Sequence, residues 1–183
     1  MPQPLQHGPW QILARREVYR DPWIVVIRDE VIRPDGHPGS HCIVRLKAGV
    51  SVLAVDASNT VYLTEEFHYG VGRVTVEAVS GGIDGDEQPA ETARRELCEE
   101  LGITAEEWID LGTCDPLTSV VTSPTGLFLA QGLTFGPTTL EGTETLRCRS
   151  MPLEEALQMV LDGRITHAPS CVLILKTARL LGV

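Results

Sequence analysis

Between residues 74 and 103 the chain changes from the hydrophobic period of a strand to that of a helix, and no other stretch constrains the fold as tightly. Residues 74–79, VTVEAV, read as a short apolar strand. Gly81, Gly82 and Gly85 then make a loop. From Pro89 to Leu101 the apolar residues Ala90, Ala93, Leu97 and Leu101 recur at helical spacing and form one buried stripe. Pro89 suits the first helical position, and Gly102 suits the position just past the end.

The opposite face of that helix is acidic. Glu96 lies three residues before Glu99 and four before Glu100, so all three side chains fall within about one turn of each other. They repel, and the helix dipole disfavours negative charge in the last turn by about 0.3–1 kcal/mol for each residue. Helix stability alone would favour Lys or Arg there, and local rules broken without local compensation mark functional sites. Clustered hard oxygen ligands suit Mg²⁺, with Mn²⁺ as a substitute, and a bound ion turns the repulsion into attraction.

Elsewhere strands dominate the first half and helices the second. Residues 12–31 read as strand-rich, with Tyr19, Trp23, Ile24 and Val25 among them, and Arg33-Pro34-Asp35-Gly36 signals a turn returning through residues 42–46. Residues 50–55 and 61–65 flank a turn at Asp56-Ala57-Ser58-Asn59. Further strands are expected over 109–112 and 126–130, and helices over 153–161 and 172–181. This order predicts a mixed sheet sandwiched by helices, with residues 1–47 as an N-terminal antiparallel segment and 48–183 as the main domain.

The net charge of −10 argues against a general nucleic-acid binder, while allowing a small anionic substrate at a local cationic or metal-bearing cleft. Cys42, Cys98, Cys114, Cys148 and Cys171 are odd in number and form no C-x-x-C pair, which fits a reducing cytoplasm. No apolar run reaches the roughly 20 residues needed to span a bilayer. The opening MPQPLQHGPW lacks the basic cluster and apolar stretch of a signal peptide.

In order along the chain stand Gly81, five residues, Glu87, seven residues, then Arg95-Glu96-Leu97-Cys98-Glu99-Glu100-Leu101-Gly102-Ile103. This resembles the Nudix box, G-x5-E-x7-R-E-U-x-E-E-x-G-U with U aliphatic, at every defined position. The resemblance implies an α/β/α sandwich and a Mg²⁺-dependent hydrolase of a nucleoside diphosphate linked to another moiety. It implies Glu96, Glu99 and Glu100 as metal ligands, together with the backbone carbonyl of Ser80. Arg95 would orient a glutamate by charge-assisted hydrogen bonds, Glu87 would support the loop, and Gly81 would allow close backbone approach.

Residues 65–87, EEFHYGVGRVTVEAVSGGIDGDE, are similar to the segment before and into the box in ADP-ribose pyrophosphatases. That subgroup implies a homodimer paired through the N-terminal strands, and ADP-ribose or a sugar nucleotide such as GDP-mannose as substrate. The chain departs from the subgroup at three places. His68 replaces an arginine, Val79-Ser80 replaces Pro-Ala, and the Pro-Gly-Phe-Ser-type loop after the box is absent. His68 is a candidate phosphate contact or a strand-edge residue. Glu77 is a candidate pocket residue, Arg73 a pocket or surface residue, and Trp23 a base-stacking or packed residue. The resemblance also implies a general base on a late loop: Glu144 first, Glu141 second, with Glu96 as a further candidate. A non-catalytic nucleotide sensor is the competing class, although the box keeps all its charged positions. Hydrolysis of dinucleoside polyphosphates or nucleoside triphosphates is the other alternative, and the strand-rich N-terminus argues against a minimal triphosphate hydrolase.

Overall fold

The computed structural model describes residues 4–140 and 145–183. In chain order the elements are β1 (Leu5–His7), β2 (Trp10–Arg20), β3 (Ile24–Ile32), β4 (Pro38–Leu46), β5 (Gly49–Val55), β6 (Thr60–His68), β7 (Arg73–Glu77), β8 (Val79–Gly82), α1 (Pro89–Leu101), β9 (Ile103–Cys114), β10 (Val121–Thr122), β11 (Thr125–Phe135), β12 (Arg147–Pro152), α2 (Leu153–Leu161) and α3 (Ala168–Leu181). They fall into two units, residues 1–47 with 115–123, and residues 48–114 with 124–183.

The first unit is a sheet in the order β1-β2-β3-β4-β10, antiparallel except where β10 joins β4 in parallel. The expected turn after β3 is present: Gly36 N–H donates to the Arg33 carbonyl at 2.9 Å. Inside this sheet Asp29 is buried and takes a two-pronged ion pair from Arg15, with both N–O distances 2.7 Å. Trp23 lies in the turn between β2 and β3, where its backbone N–H is capped by Asp21, so it is not a strand residue as its aromatic neighbourhood suggests.

The second unit is the expected α/β/α sandwich. Its sheet runs β12-β6-β5-β11-β9, with β5 and β11 parallel. Alternation along β5 explains the layers. Leu53 and Val55 join one apolar cluster with Leu153, Met159, Leu173 and Ile174 of α2 and α3. Val50, Val52 and Ala54 join the other, with Ala93, Leu97 and Leu101 of α1. A fully buried leucine contributes about 1.5–3 kcal/mol, so Leu97 alone goes far towards holding the acidic helix in place.

Where β5 and β6 diverge the sheet forks. They pair only at Ala54–Tyr62 and Val55–Val61. Beyond that, β8 pairs with β5 and β7 pairs with β6, leaving Ala78 at the joint. The single strand expected over 74–79 is therefore two strands with different partners. Gly81 and Gly82 belong to the second strand rather than to a loop, because they lie opposite Val50 and Gly49 in register. The strands expected over 109–112 and 126–130 extend over Ile103–Cys114 and Thr125–Phe135, which pair along their length. The last helix begins at Ala168, four residues before the expected start at 172, because Pro169 in its first turn favours helix initiation.

Candidate active site

The loop between β8 and α1 and the first half of α1 are built by local bonds. Gln88 N–H donates to Glu91 Oε2 at 3.0 Å, Pro89 opens the helix, and Gly102 closes it at φ 63°. Gly102 also has no room for a side chain, since a Cβ there would overlap the Gly136 carbonyl. Two downstream donors reach the end of the helix: Gly136 N–H to the Gly102 carbonyl at 2.7 Å, and Thr139 N–H to the Glu99 carbonyl at 2.9 Å.

Arg95 gathers the acidic residues. Its Nε and Nη2 donate to Glu87 Oε1 and Oε2, both at 3.0 Å. Its Nη1 donates to Glu96 Oε1 at 2.8 Å and Glu99 Oε2 at 3.0 Å. Nη2 also reaches the Gly82 carbonyl at 3.2 Å, which ties the helix to β8. Glu87 accepts a further bond from the buried Thr92 hydroxyl at 2.9 Å. Arg95 and then Thr92 hold the Glu87 carboxyl down to about 2, and Glu87 in turn raises the Arg95 pKa. Because the folded-state value lies below the ordinary one, this stabilisation is complete above about pH 4.5 and is lost as pH falls towards 2. The denaturation midpoint should accordingly fall between pH 4.5 and pH 2 less steeply in Glu87→Gln than in the parent chain.

The Glu96 carboxylate lies against the backbone of Gly81, at a point where a Cβ on residue 81 would overlap its Cδ and Oε1. Glu100, 8% exposed, is on the same helix. The Ser80 hydroxyl exchanges a 2.7 Å hydrogen bond with the buried Ser51 hydroxyl and donates to the Ala78 carbonyl at 2.9 Å. In this state Arg95 Nη1 bridges Glu96 and Glu99, and no metal-holding group of three His, Cys, Asp or Glu side chains is present among the described residues.

A second group forms at the fork. Glu77 accepts the Thr75 hydroxyl at 2.6 Å, lies 3.4 Å from His68 Nε2 and 3.1 Å from His167 Nδ1. Arg73 Nη2 donates to the Thr166 hydroxyl at 2.6 Å. His68 ends β6, and Arg73 and Glu77 lie on the neighbouring β7, whereas His167 and Ser170 were not legible as part of the group. The signal that could have found them is the His-Ala-Pro-Ser sequence at the start of α3. Trp23 is 74% exposed and belongs to the first unit. Glu141 and Glu144 lie outside the described residues; on either side, Thr139 is held as above and Thr145 N–H donates to Glu66 Oε1 at 3.2 Å.

A glycine-lined strand end, a carboxylate seated on it and an arginine clasping three glutamates define an oxygen-rich site of the kind that holds divalent cations against phosphates. Residues 45–170 match the NUDIX domain family, and residues 10–44 match the nucleoside diphosphate sugar hydrolase N-terminal domain. The chain belongs to the Nudix family and is a hydrolase of nucleoside diphosphate derivatives. Over 165 residues it is 29% identical to a CMP-5'-(N-acetyl-N-hydroxy-3-aminopropyl)phosphonate hydrolase of Streptomyces rubellomurinus, covering 89% of this chain and 79% of that one. Over 170 residues it is 27% identical to an ADP-ribose pyrophosphatase of Bacillus subtilis, covering 88% and 89%. Its fold is shared with the crystal structure of an ADP compounds hydrolase, at a TM-score of 0.79 and 24% identity over 93% of each chain. Nudix hydrolases use divalent metal ions. The residues present fit such an ion: the donors are hard carboxylate oxygens, and Gly81 leaves open the space that the Glu96 carboxylate occupies. No described helix is long and apolar enough to cross a membrane.

Proposed function

We propose that the chain hydrolyses ADP-ribose to AMP and ribose 5-phosphate with Mg²⁺, or, in its place, a sugar nucleotide such as GDP-mannose. The observation that carries this reading is the seating of Glu96 on Gly81 beneath the Arg95 clasp. Glu96, Glu99, Glu100 and the Ser80 carbonyl would hold Mg²⁺, with Mn²⁺ as a substitute. When bound, the ion neutralises charge on the diphosphate and acidifies a water. Arg95 fixes Glu96 and Glu99, and Glu87 fixes Arg95. The water oxygen adds to one phosphorus, the bond from that phosphorus to the bridging oxygen breaks, and the second phosphate leaves. Glu144 accepts the proton of the water, with Glu141 and then Glu96 as the alternatives. His68, Arg73 and Glu77 line the pocket.

The proposal includes a homodimer formed through the N-terminal strands, supported by the exposed apolar side chains Leu13, Val18 and Tyr19 on β2. Trp23 stacks a base in that dimer. The proposed compartment is the cytoplasm, consistent with five cysteines that are all free thiols.

The test is a panel of ADP-ribose, GDP-mannose, other sugar nucleotides and dinucleoside polyphosphates, with products identified, in Mg²⁺ and in chelator. AMP should form from ADP-ribose in Mg²⁺ only. Release from no compound would make the chain a nucleotide sensor. Glu144→Gln should lower kcat about 100-fold with little change in KM. Unchanged turnover across pH would move the base to Glu141 or into the box.

A further inference from the structure

The joint at Ala78 is braced at three points, by α3 and by the two residues just before it. Arg73 bonds Thr166, Glu77 meets His167, and the buried Ser170 Oγ accepts the Ala78 N–H at 2.8 Å. All three precede Ser80 and Gly81 by a few residues, so the brace and the proposed metal edge share one short length of chain.

The arrangement selects the tautomer of His167. Nδ1 lies 3.1 Å from Glu77 Oε2 and 2.8 Å from Ser170 Oγ. A bare nitrogen lone pair facing a carboxylate at that distance is repulsive, whereas an Nδ1–H donates to it. Burial lowers the pKa of this imidazole, which keeps it neutral. Nδ1 therefore carries the proton, and Nε2 carries the lone pair. Among the described residues Nε2 makes no hydrogen bond, and the side chain is 29% exposed. An arginine in this neighbourhood offers donors only. This imidazole, turned inward by Glu77, offers the opposite.

We propose that His167 is a specificity-determining residue: Glu77 holds its Nδ1–H inward, and its Nε2 accepts a hydrogen bond from a hydroxyl on the non-nucleotide half of the substrate. The ligand chemistry it reads is a neutral donor, such as a sugar hydroxyl, and not a phosphate oxygen, which would meet lone pair with lone pair. Glu77 is a positioning residue in this scheme. The inference rests on the hydrolase reading above and deepens it by assigning a hydroxyl-bearing distal group.

Two substitutions separate the two edges of the ring. His167→Asn keeps an N–H near the Nδ1 position for Glu77 and removes the outer acceptor. His167→Gln restores a polar group near Nε2 and gives up the inner donor. The probes are ADP-ribose and the β-methyl ester of ADP, which has the same nucleotide and diphosphate but no distal hydroxyl. The parent chain should prefer ADP-ribose in kcat/KM. His167→Asn should reduce that preference about tenfold, through a raised KM for ADP-ribose, with the ester unchanged and the thermal midpoint near that of the parent. His167→Gln should recover part of the preference. Equal losses on both compounds would make His167 a structural brace and overturn the proposal. A parent chain that cleaves both equally well would overturn it while leaving diphosphate hydrolysis intact. A parent chain that cleaves neither would overturn the hydrolase reading with it.

Discussion

Replacing Glu100 with glutamine is expected to lower kcat by about three orders of magnitude at saturating Mg²⁺ without unfolding the chain. The amide keeps the size and one oxygen of the carboxylate but removes the charge that binds a hard cation, and a lost charge contact of several kcal/mol is a loss of about a thousandfold. Stability should move the other way, if at all. Glu100 sits in the last turn of α1, where the dipole opposes a negative charge and the turn itself contains no basic residue. Steady-state kinetics as a function of Mg²⁺, with a thermal melt beside them, checks both halves. Near-normal turnover would remove Glu100 from the metal shell.

Gly81→Ala is the second large effect. The added methyl would overlap the Glu96 carboxylate, so either that carboxylate leaves its seat or β8 slips from β5. Activity should fall about 100-fold, since a displacement of about 1 Å at a reacting group costs that much. Gly70→Ala is the control, because nothing stands within 4 Å of its Cβ position. A Gly81→Ala enzyme as active as the Gly70→Ala one would show that the seating of Glu96 is not needed for turnover.

The features that sequence revealed were local ones. The helix from Pro89 to Leu101 has the limits expected because its stripe and its two caps lie within a few residues of each other. The resemblance to the Nudix box implied that Arg95 orients a glutamate and Glu87 supports the loop; in the structure Arg95 bonds both Glu87 and Glu96. What stayed hidden depends on distant partners. Gly81 and Gly82 read as a loop because glycines weaken strand propensity, yet β5 supplies the pairing and Glu96 needs the missing side chain of Gly81. Arg147–Pro152 carries two arginines and a proline, and reads as a strand only once it lies at the sheet edge beside β6. His167 lies far from Glu77 along the chain, beyond the reach of any local pattern.

The two bonds that Gly136 and Thr139 make to the end of α1 have a consequence for how the site can change. Those donors meet carbonyls that the helix leaves open at its end, where its own side chains provide no positive charge. Gly136 and Thr139 are therefore committed to the helix before chemistry asks anything of this stretch. Inserting or deleting one residue in that stretch would cost the helix its donors as well as shifting everything that follows. Loop length up to Thr139 is thus tied to the acidic helix through these two bonds.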